Sequence, residues 1–429
     1  MTSNRRVVIT GMGAVTPLGH GVAATWEGIR ATRCGIGPLT LFDASTFETR
    51  IGGEVKDFSP AAVRQQARPE VAIALDRKNA FGWVAAREAM RDAGLAGDGA
   101  AQLSPRRLGI SLGTEGRRDS LLPELAQRKL RATDPEKRRA ILAAVPEWEY
   151  LRYSPYGLAH ALAAEFHAQG PICTISTACT SSSQALGWAL DKIRGGAADV
   201  MLAGGAECLM EPTMVAGFIL LGALSKNNDH PQQASRPFDR ERDGFVLAEG
   251  GAMLVLEDAW HAHQRGARVY AELAGFGTSI NAYRITDSPP DGQGPMLAMQ
   301  AALADAGITP DEVDYVNAHG TSTLQNDSSE TMAIKRSLGE RAYKVPVSST
   351  KSMTGHMVNA AGAIEAILSA KAIGDNYVPA TINYQHPDPV CDLDYVPNQG
   401  REQQVNTVVS NSFGFGGSNG SLVLRRYAG

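Results

Sequence analysis

Short apolar, β-branched runs alternate along this chain with longer stretches whose apolar positions recur every three to four residues. The short runs read as strands buried on both faces, and the longer ones as amphipathic helices. Strands are predicted over 6–10, 108–112, 171–175, 199–203 and 251–256, then over 269–276, 313–318, 345–348, 405–410 and 421–425. Helices are predicted between them, among others over 79–93, 183–194, 294–306, 328–338 and 362–373. Such alternation marks an α/β protein. The two series have similar make-up, and 429 residues exceed one simple core, so two related halves are expected. The expected division is residues 1–258 and 259–429, with a polar connector over 258–268.

Composition narrows the function classes. Hydrophobic residues make up 43% and charged residues 20%, with a net charge of -4, so no nucleic-acid partner is expected. No apolar run is long enough to span a bilayer, so no membrane insertion is expected. Arg5 and Arg6 lead directly into Val7-Val8-Ile9, which is not the layout of a secretory leader. The five cysteines (34, 173, 179, 208 and 391) are odd in number and scattered. They suggest neither a disulfide framework nor a cysteine zinc site, and the expected compartment is a reducing cytoplasm. Two segments break the compact pattern. Residues 116–140 carry eight Arg or Lys against four Asp or Glu and read as a solvated helical excursion, with a docking surface or a cap over the site as the other reading. Residues 225–244 read as a long loop of the kind that often carries function.

The candidate chemistry gathers where predicted strands end. Thr177-Ala178-Cys179-Thr180-Ser181-Ser182-Ser183 places a cysteine at a strand-to-helix junction. The helix N-terminus aims unpaired N–H groups at that residue, and a thiol there is expected to be pushed toward thiolate. The competing reading is a cysteine packed as a small hydrophobe. His319 follows the 313–318 run in Asn317-Ala318-His319-Gly320-Thr321-Ser322-Thr323, and Lys351 and His356 follow the 345–348 run. Lysine is rarely buried without a partner, and Glu365 on the next helix is the candidate; a purely structural ion pair is the other reading. Asn411 to Asn419 is a glycine-rich loop with two aromatics, better suited to a mobile apolar gate than to a phosphate cradle.

These motifs, in this order and with Val7-Val8-Ile9-Thr10-Gly11-Met12-Gly13 and Ser235-Arg236-Pro237-Phe238-Asp239, resemble the β-ketoacyl-acyl-carrier-protein synthases. Those are the condensing enzymes of type II fatty acid and polyketide synthesis, and the wording is nearest to the synthase II type. The resemblance implies a thiolase-like fold, with two similar βαβαβ-type halves in five α-β-α-β-α layers. It implies decarboxylative condensation of an acyl group with malonyl-acyl-carrier protein, without metal or cofactor. Partners would be a phosphopantetheinylated acyl carrier protein and either a second copy or a chain-length-factor-like subunit. By the same resemblance Cys179 accepts the acyl group and His319, His356 and Lys351 are catalytic, with Glu365 in support. The backbone N–H groups of Cys179 and Phe415 would form an oxyanion hole. Phe415, with Gly414 and Gly416, would be the gate, and Thr321 and Thr323 would bind pantetheine. Arg77, Lys78 and Lys226 would dock the carrier. The chain departs from the family wording in Thr180 to Ser183, in Tyr153 to Leu158 and at Arg284, which implies a differently shaped acyl pocket and a specialised pathway. A thiolase acting on coenzyme A esters would bring a second catalytic cysteine, and Cys391 lacks the setting for one. A chain-length factor would typically have replaced the cysteine that is present here.

Overall fold

The computed structural model describes residues 5–96, 103–116, 133–143 and 154–429. Its strands are β1 (Val7–Thr16), β2 (Leu108–Gly113), β3 (Ile172–Ile175), β4 (Val200–Glu207) and β5 (Gly250–Asp258), followed by β6 (Ala271–Ile280), β7 (Tyr315–Asn317), β8 (Val347–Ser348), β9 (Thr407–Phe413) and β10 (Ser418–Arg425). The first five lie in the order β3-β2-β4-β5-β1, and the second five in the order β8-β7-β9-β10-β6. Each series therefore ranks its strands 3-2-4-5-1. In each, the first three neighbours run parallel and the last two pairings are antiparallel. The two arrays touch through the edge strands β1 and β6, at Val8↔Glu272 and Ile9↔Ala271.

Five helices complete the layers: α1 (Arg77–Asp92), α2 (Ser181–Arg194), α3 (Gln293–Ala306), α4 (Leu324–Leu338) and α5 (Ala361–Asp375). α1 covers the outer face of β1, β4 and β5, while α3 covers β6 and β10, with α4 packed against α3. α2 and α5 pack on each other and on both strand series, which makes them the buried middle layer. Burial on all sides explains the composition of α5, whose residues 361–370 are all buried. The arrangement is a thiolase fold.

Every predicted strand and helix named above has a counterpart, and the differences lie at the ends. β1, β4 and β9 run three to six residues beyond the predicted stops, through Gly11, Gly13, Gly204, Gly205, Asn411 and Ser412. Glycine and small polar residues hide a strand from a hydrophobicity pattern, yet these strands need them. A Cβ on Gly13 would overlap the Ala85 carbonyl of α1. The expected loop 411–419 is consequently two strand ends around a tight turn at 414–417. In the connector, Asp258 caps a short helix, Ala259–Gln264, by accepting the His261 N–H at 3.0 Å. Most of the charge-dense 116–140 stretch (117–132) lies outside the described residues, as does Tyr153; its described remainder includes the helix Pro135–Ala143. Residues 225–244 form the expected loop, and its buried part, 234–239, braces the site: Ser235 Oγ donates to the Lys351 carbonyl at 2.9 Å, and Phe238 N–H donates to Asp327 at 2.8 Å.

Candidate active site

Three turns meet at the seam between the two strand series, and each carries a non-glycine residue with positive φ: Ala178 (51°), Ser322 (69°) and Val358 (36°). Strained backbone of this kind costs roughly 1–3 kcal/mol per residue and persists only where surrounding structure enforces it. Ala178 precedes Cys179, Ser322 lies beyond His319, and Val358 lies beyond His356. The turns bring the three side chains into one cavity of 330 Å³, whose wall includes Leu209, Met214, Phe218 and Phe415. Cys179 is 7% exposed. His356 Nε2 stands 3.0 Å from Cys179 Sγ, and the two imidazole rings are 5.3 Å apart, edge to face.

Burial decides the charge states. It pushes the Cys179 thiol up to about 12, against the opposing pull of Lys351 and of the backbone N–H groups of Phe415 and Cys179. The expectation of a thiolate at the helix start is therefore corrected: the N–H groups are in place, but desolvation of a buried sulfur outweighs them. Burial also lowers His319 and His356 well below the usual histidine range, and the Lys351 ammonium lowers both further. Both rings are neutral at pH 7. Neither Nδ1 has a hydrogen-bond partner among the described residues, so no contact there fixes the tautomer.

Lys351 does not face the cavity. Its Nζ donates to the His319 carbonyl at 2.7 Å and to Glu365 Oε1, both partners being buried. Burial raises the Glu365 carboxyl to about 7. Two buried acids on α4 hold the His319 turn and were not singled out from the sequence. Glu330 accepts the His319 and Gly320 N–H groups at 2.8 and 2.7 Å, and Asp327 accepts that of Thr321 at 3.0 Å. Their signal was present: acids three apart on a helix that directly follows the histidine turn share the face looking back at it.

Thr321 and Thr323 both line the cavity, with their hydroxyls 3.0 Å apart. Thr323 also caps α4 by accepting the Asn326 N–H at 3.3 Å. Phe415 stands 6.4 Å from the rings of Phe218 and Phe245, and Gly416 has φ 83°, a conformation that favours glycine. The turn is tied to the 281–285 segment by Gly416 N–H to Ile285 O at 2.6 Å and Asn281 N–H to Gly417 O at 2.8 Å. Arg284, the departure from the family wording, is exposed and pairs with Asp287 at 3.3 Å, and Asp287 lines the cavity.

The basic residues assigned to carrier docking divide. Lys78 is 4% exposed and donates to the Glu115 carbonyl, while Arg77 is held by Glu249, with one contact at 2.8 Å. Lys78 points inward, because the first turn of α1 faces the core, and presents no charge to an external protein, whereas the Arg77 side chain is 20% exposed and engaged by Glu249. Lys226 is exposed and pairs with Glu48. Cys391 is buried against Tyr395 and Phe238 in a separate core cluster, and Cys179 is the one thiol among the described residues that lines the cavity. Cys179, His319 and His356 offer ligand atoms within 4.8 Å of one another, a spacing that a zinc ion can also use.

A thiolase fold that brings a buried thiol and two neutral imidazoles into one cavity of mixed polar and apolar lining has the make-up of a carbon–carbon condensing enzyme acting on thioesters. The family model described as "Beta-ketoacyl synthase, N-terminal domain" matches residues 4–262, and its C-terminal counterpart matches residues 270–385. The chain belongs to the beta-ketoacyl synthase family. It is 43% identical to the 3-oxoacyl-acyl-carrier-protein synthase 2 of Coxiella burnetii, over 98% of this chain and 99% of that one. It is 45% identical to the tetracenomycin polyketide synthase ketoacyl synthase alpha subunit of Streptomyces glaucescens, over 99% and 98%. Among solved structures, a type II PKS acyl-carrier protein in complex with its ketosynthase bound to the hexaketide matches with a TM-score of 0.86 at 37% identity, over 99% of this chain and 100% of that one.

Proposed function

We propose that this protein is a β-ketoacyl-acyl-carrier-protein synthase that condenses an acyl group, held on Cys179, with malonyl-acyl-carrier protein, giving a β-ketoacyl-carrier product and CO2. The observation that carries the residue roles is the 3.0 Å contact between Cys179 Sγ and a buried, neutral His356. In the first half-reaction His356 Nε2 takes the thiol proton as the sulfur attacks the thioester carbonyl. The bond to the pantetheine sulfur then breaks, and the departing thiolate takes that proton. The tetrahedral oxyanion faces the backbone N–H groups of Cys179 and Phe415, which already point at the sulfur.

Between the half-reactions His356 exchanges its single ring proton from Nδ1 to Nε2, which no Nδ1 partner among the described residues opposes. In the second, the malonyl thioester oxygen then lies against His319 and His356, each carrying its proton on Nε2. Breaking the bond to the carboxylate releases CO2 and leaves the electron pair on an enolate, which those two N–H groups stabilise. The enolate carbon attacks the acyl-Cys179 carbonyl, the carbon–sulfur bond breaks, and the departing sulfur takes up one proton drawn from solvent, which the decarboxylation of a carboxylate consumes overall. Lys351 and Glu365 act behind the rings: the ammonium keeps both imidazoles neutral, and the carboxylate keeps the ammonium buried. Thr321 and Thr323 bind the pantetheine arm, and Phe415 opens and closes the acyl chamber. Residues 1–258 and 259–429 act as two halves, one supplying the thiol and the other the histidines; the repeated strand ranking supports this division. The five free cysteines support a cytoplasmic setting.

Intact-protein mass spectrometry with a panel of acyl-carrier thioesters tests the reading. Wild-type protein gains one acyl group and Cys179→Ala gains none. Acylation of the variant would overturn Cys179 as the acceptor, and no acylation from any carrier would overturn the enzymatic reading.

A further inference from the structure

Arg242 is a buried cation that takes no part in the steps of the condensation. Its side chain is 2% exposed, and it does not line the cavity, although its neighbours Asp243 and Gly244 do. Its guanidinium joins two segments. Toward the start of α4, Nε–H donates to the Thr323 carbonyl and Nη2 to the Leu324 carbonyl, each at 3.2 Å. On the other side, Nη1 donates to the Asp239 carbonyl at 2.8 Å and to Asp388 Oδ2 at 2.6 Å. Four of the five N–H groups a guanidinium carries are placed in this way. Asp327 Oδ2, 3.6 Å from Nε, adds a second negative charge.

Helix stability does not account for this placement. A cation at a helix N-terminus opposes the helix dipole, and a buried charge costs free energy unless it is well paired. The two carbonyls also have partners already: Thr323 O accepts the Asp327 N–H at 3.3 Å, and Leu324 O accepts the Ser328 hydroxyl at 2.8 Å. What the guanidinium adds is the position of the 321–324 turn relative to the 236–244 loop. The same loop grips the strained residue of that turn through its backbone. Gly244 N–H donates to Ser322 O, and Arg236 N–H donates to Ser322 Oγ, each at 3.0 Å. His319 and Gly320 are held separately, by Glu330. One frame therefore fixes the histidine, and another fixes the two threonines that follow it.

We propose that Arg242 is a positioning residue for the pantetheine arm: its fork sets where the Thr321 and Thr323 hydroxyls stand, and so sets affinity for arm-borne substrates without acting on the Cys179–His356 pair. The inference rests on the reading of those two threonines as the arm's binding groups.

Acylation of the full chain by an acyl-pantetheine thioester, followed by intact mass, tests this. Varying the donor concentration separates the half-saturating concentration from the limiting rate. Arg242→Lys keeps a charge for Asp327 and Asp388 but presents one nitrogen in place of a planar fork. It raises the half-saturating concentration about tenfold, the scale of one or two lost hydrogen bonds, and leaves the limiting rate within about twofold. Alkylation of Cys179 by iodoacetamide, which has no arm to bind, keeps the wild-type rate. An unchanged half-saturating concentration, or a matching loss in alkylation, overturns the proposal. Should Arg242→Lys not fold, Asp388→Asn decides. It loosens the fork from its partly exposed side and raises the half-saturating concentration about threefold; no rise overturns the proposal. Thr321→Ala in the same assay checks the parent reading. If it binds the donor as wild type does, the pantetheine reading falls and the proposal with it. If it loses affinity and Arg242→Lys does not, the proposal alone falls.

Discussion

At Cys179 desolvation and local N–H donors oppose one another, and desolvation wins, so the resting thiol keeps its proton and depends on His356 to remove it. The dependence is testable. His356→Ala slows both acyl transfer and decarboxylation, whereas His319→Ala spares acylation of Cys179 and lowers decarboxylation by about 10²–10³, the loss typical of one oxyanion donor. Mass spectrometry of the acyl-enzyme, run beside release of labelled CO2 from malonyl carrier, separates the two. The pH profile follows from the neutral rings. Both histidines are held well below 6.5, so kcat/KM shows no histidine limb as the pH falls through 6.5. In Lys351→Met the ammonium that lowers both rings is gone, and an acid limb moves up toward 6.5. Stability carries the matching sign. Below pH 6.5 the unfolded chain binds protons that the buried rings refuse, so these two residues cost stability as the pH falls.

Secondary elements show where a sequence is legible and where it is not. The strand and helix series, the histidines and the thiol were all readable, because burial on both faces leaves apolar runs and the chemistry sits where those runs stop. Strand ends were not, since Gly204, Gly205, Asn411 and Ser412 answer to close packing and hydrogen bonding, which a single sequence does not display. The same limit hid Asp327 and Glu330, whose role appears only once α4 is folded back on the His319 turn. It also misled the reading of Lys78, whose charge looks exposed in sequence and is buried in the first turn of α1. Thr323 illustrates a residue with two duties. Thr323→Ala loses the α4 cap and costs about 1 kcal/mol of stability by chemical denaturation. Thr321→Ala leaves stability unchanged, and both variants raise KM for carrier substrates. Equal stability of the two variants would remove the capping argument.

For the molecule as a whole, two surfaces bear on assembly. β3 is an edge strand with β2 as its one partner among the described strands, and Ile172 on it is 55% exposed. Unpaired edges invite pairing with another chain. Ile172→Lys is therefore expected to weaken pairing with a second subunit, a second copy or a chain-length-factor-like one, in sedimentation experiments, and an unchanged sedimentation coefficient would exclude this edge as the subunit contact. The cavity faces a different test. Its Cys-His-His set can accept zinc, so the ion is expected to inhibit acylation reversibly, with recovery on adding a chelator. Inhibition that persists in Cys179→Ala, read as residual malonyl decarboxylation, would place the metal elsewhere.

The repeated strand ranking has a consequence for how such a protein can diverge. The thiol is contributed by one copy of the repeat and the proton-handling rings by the other, and the frame that aligns them is held by β1, β6, α2 and α5 rather than by the reacting atoms. A gene copy that lost only its cysteine would still build the same walls, the same seam and the same outer edges. It could persist as a sister subunit that shapes a shared chamber while leaving the chemistry to its twin. Inheritance of architecture and inheritance of activity are, in this molecule, separable by one residue.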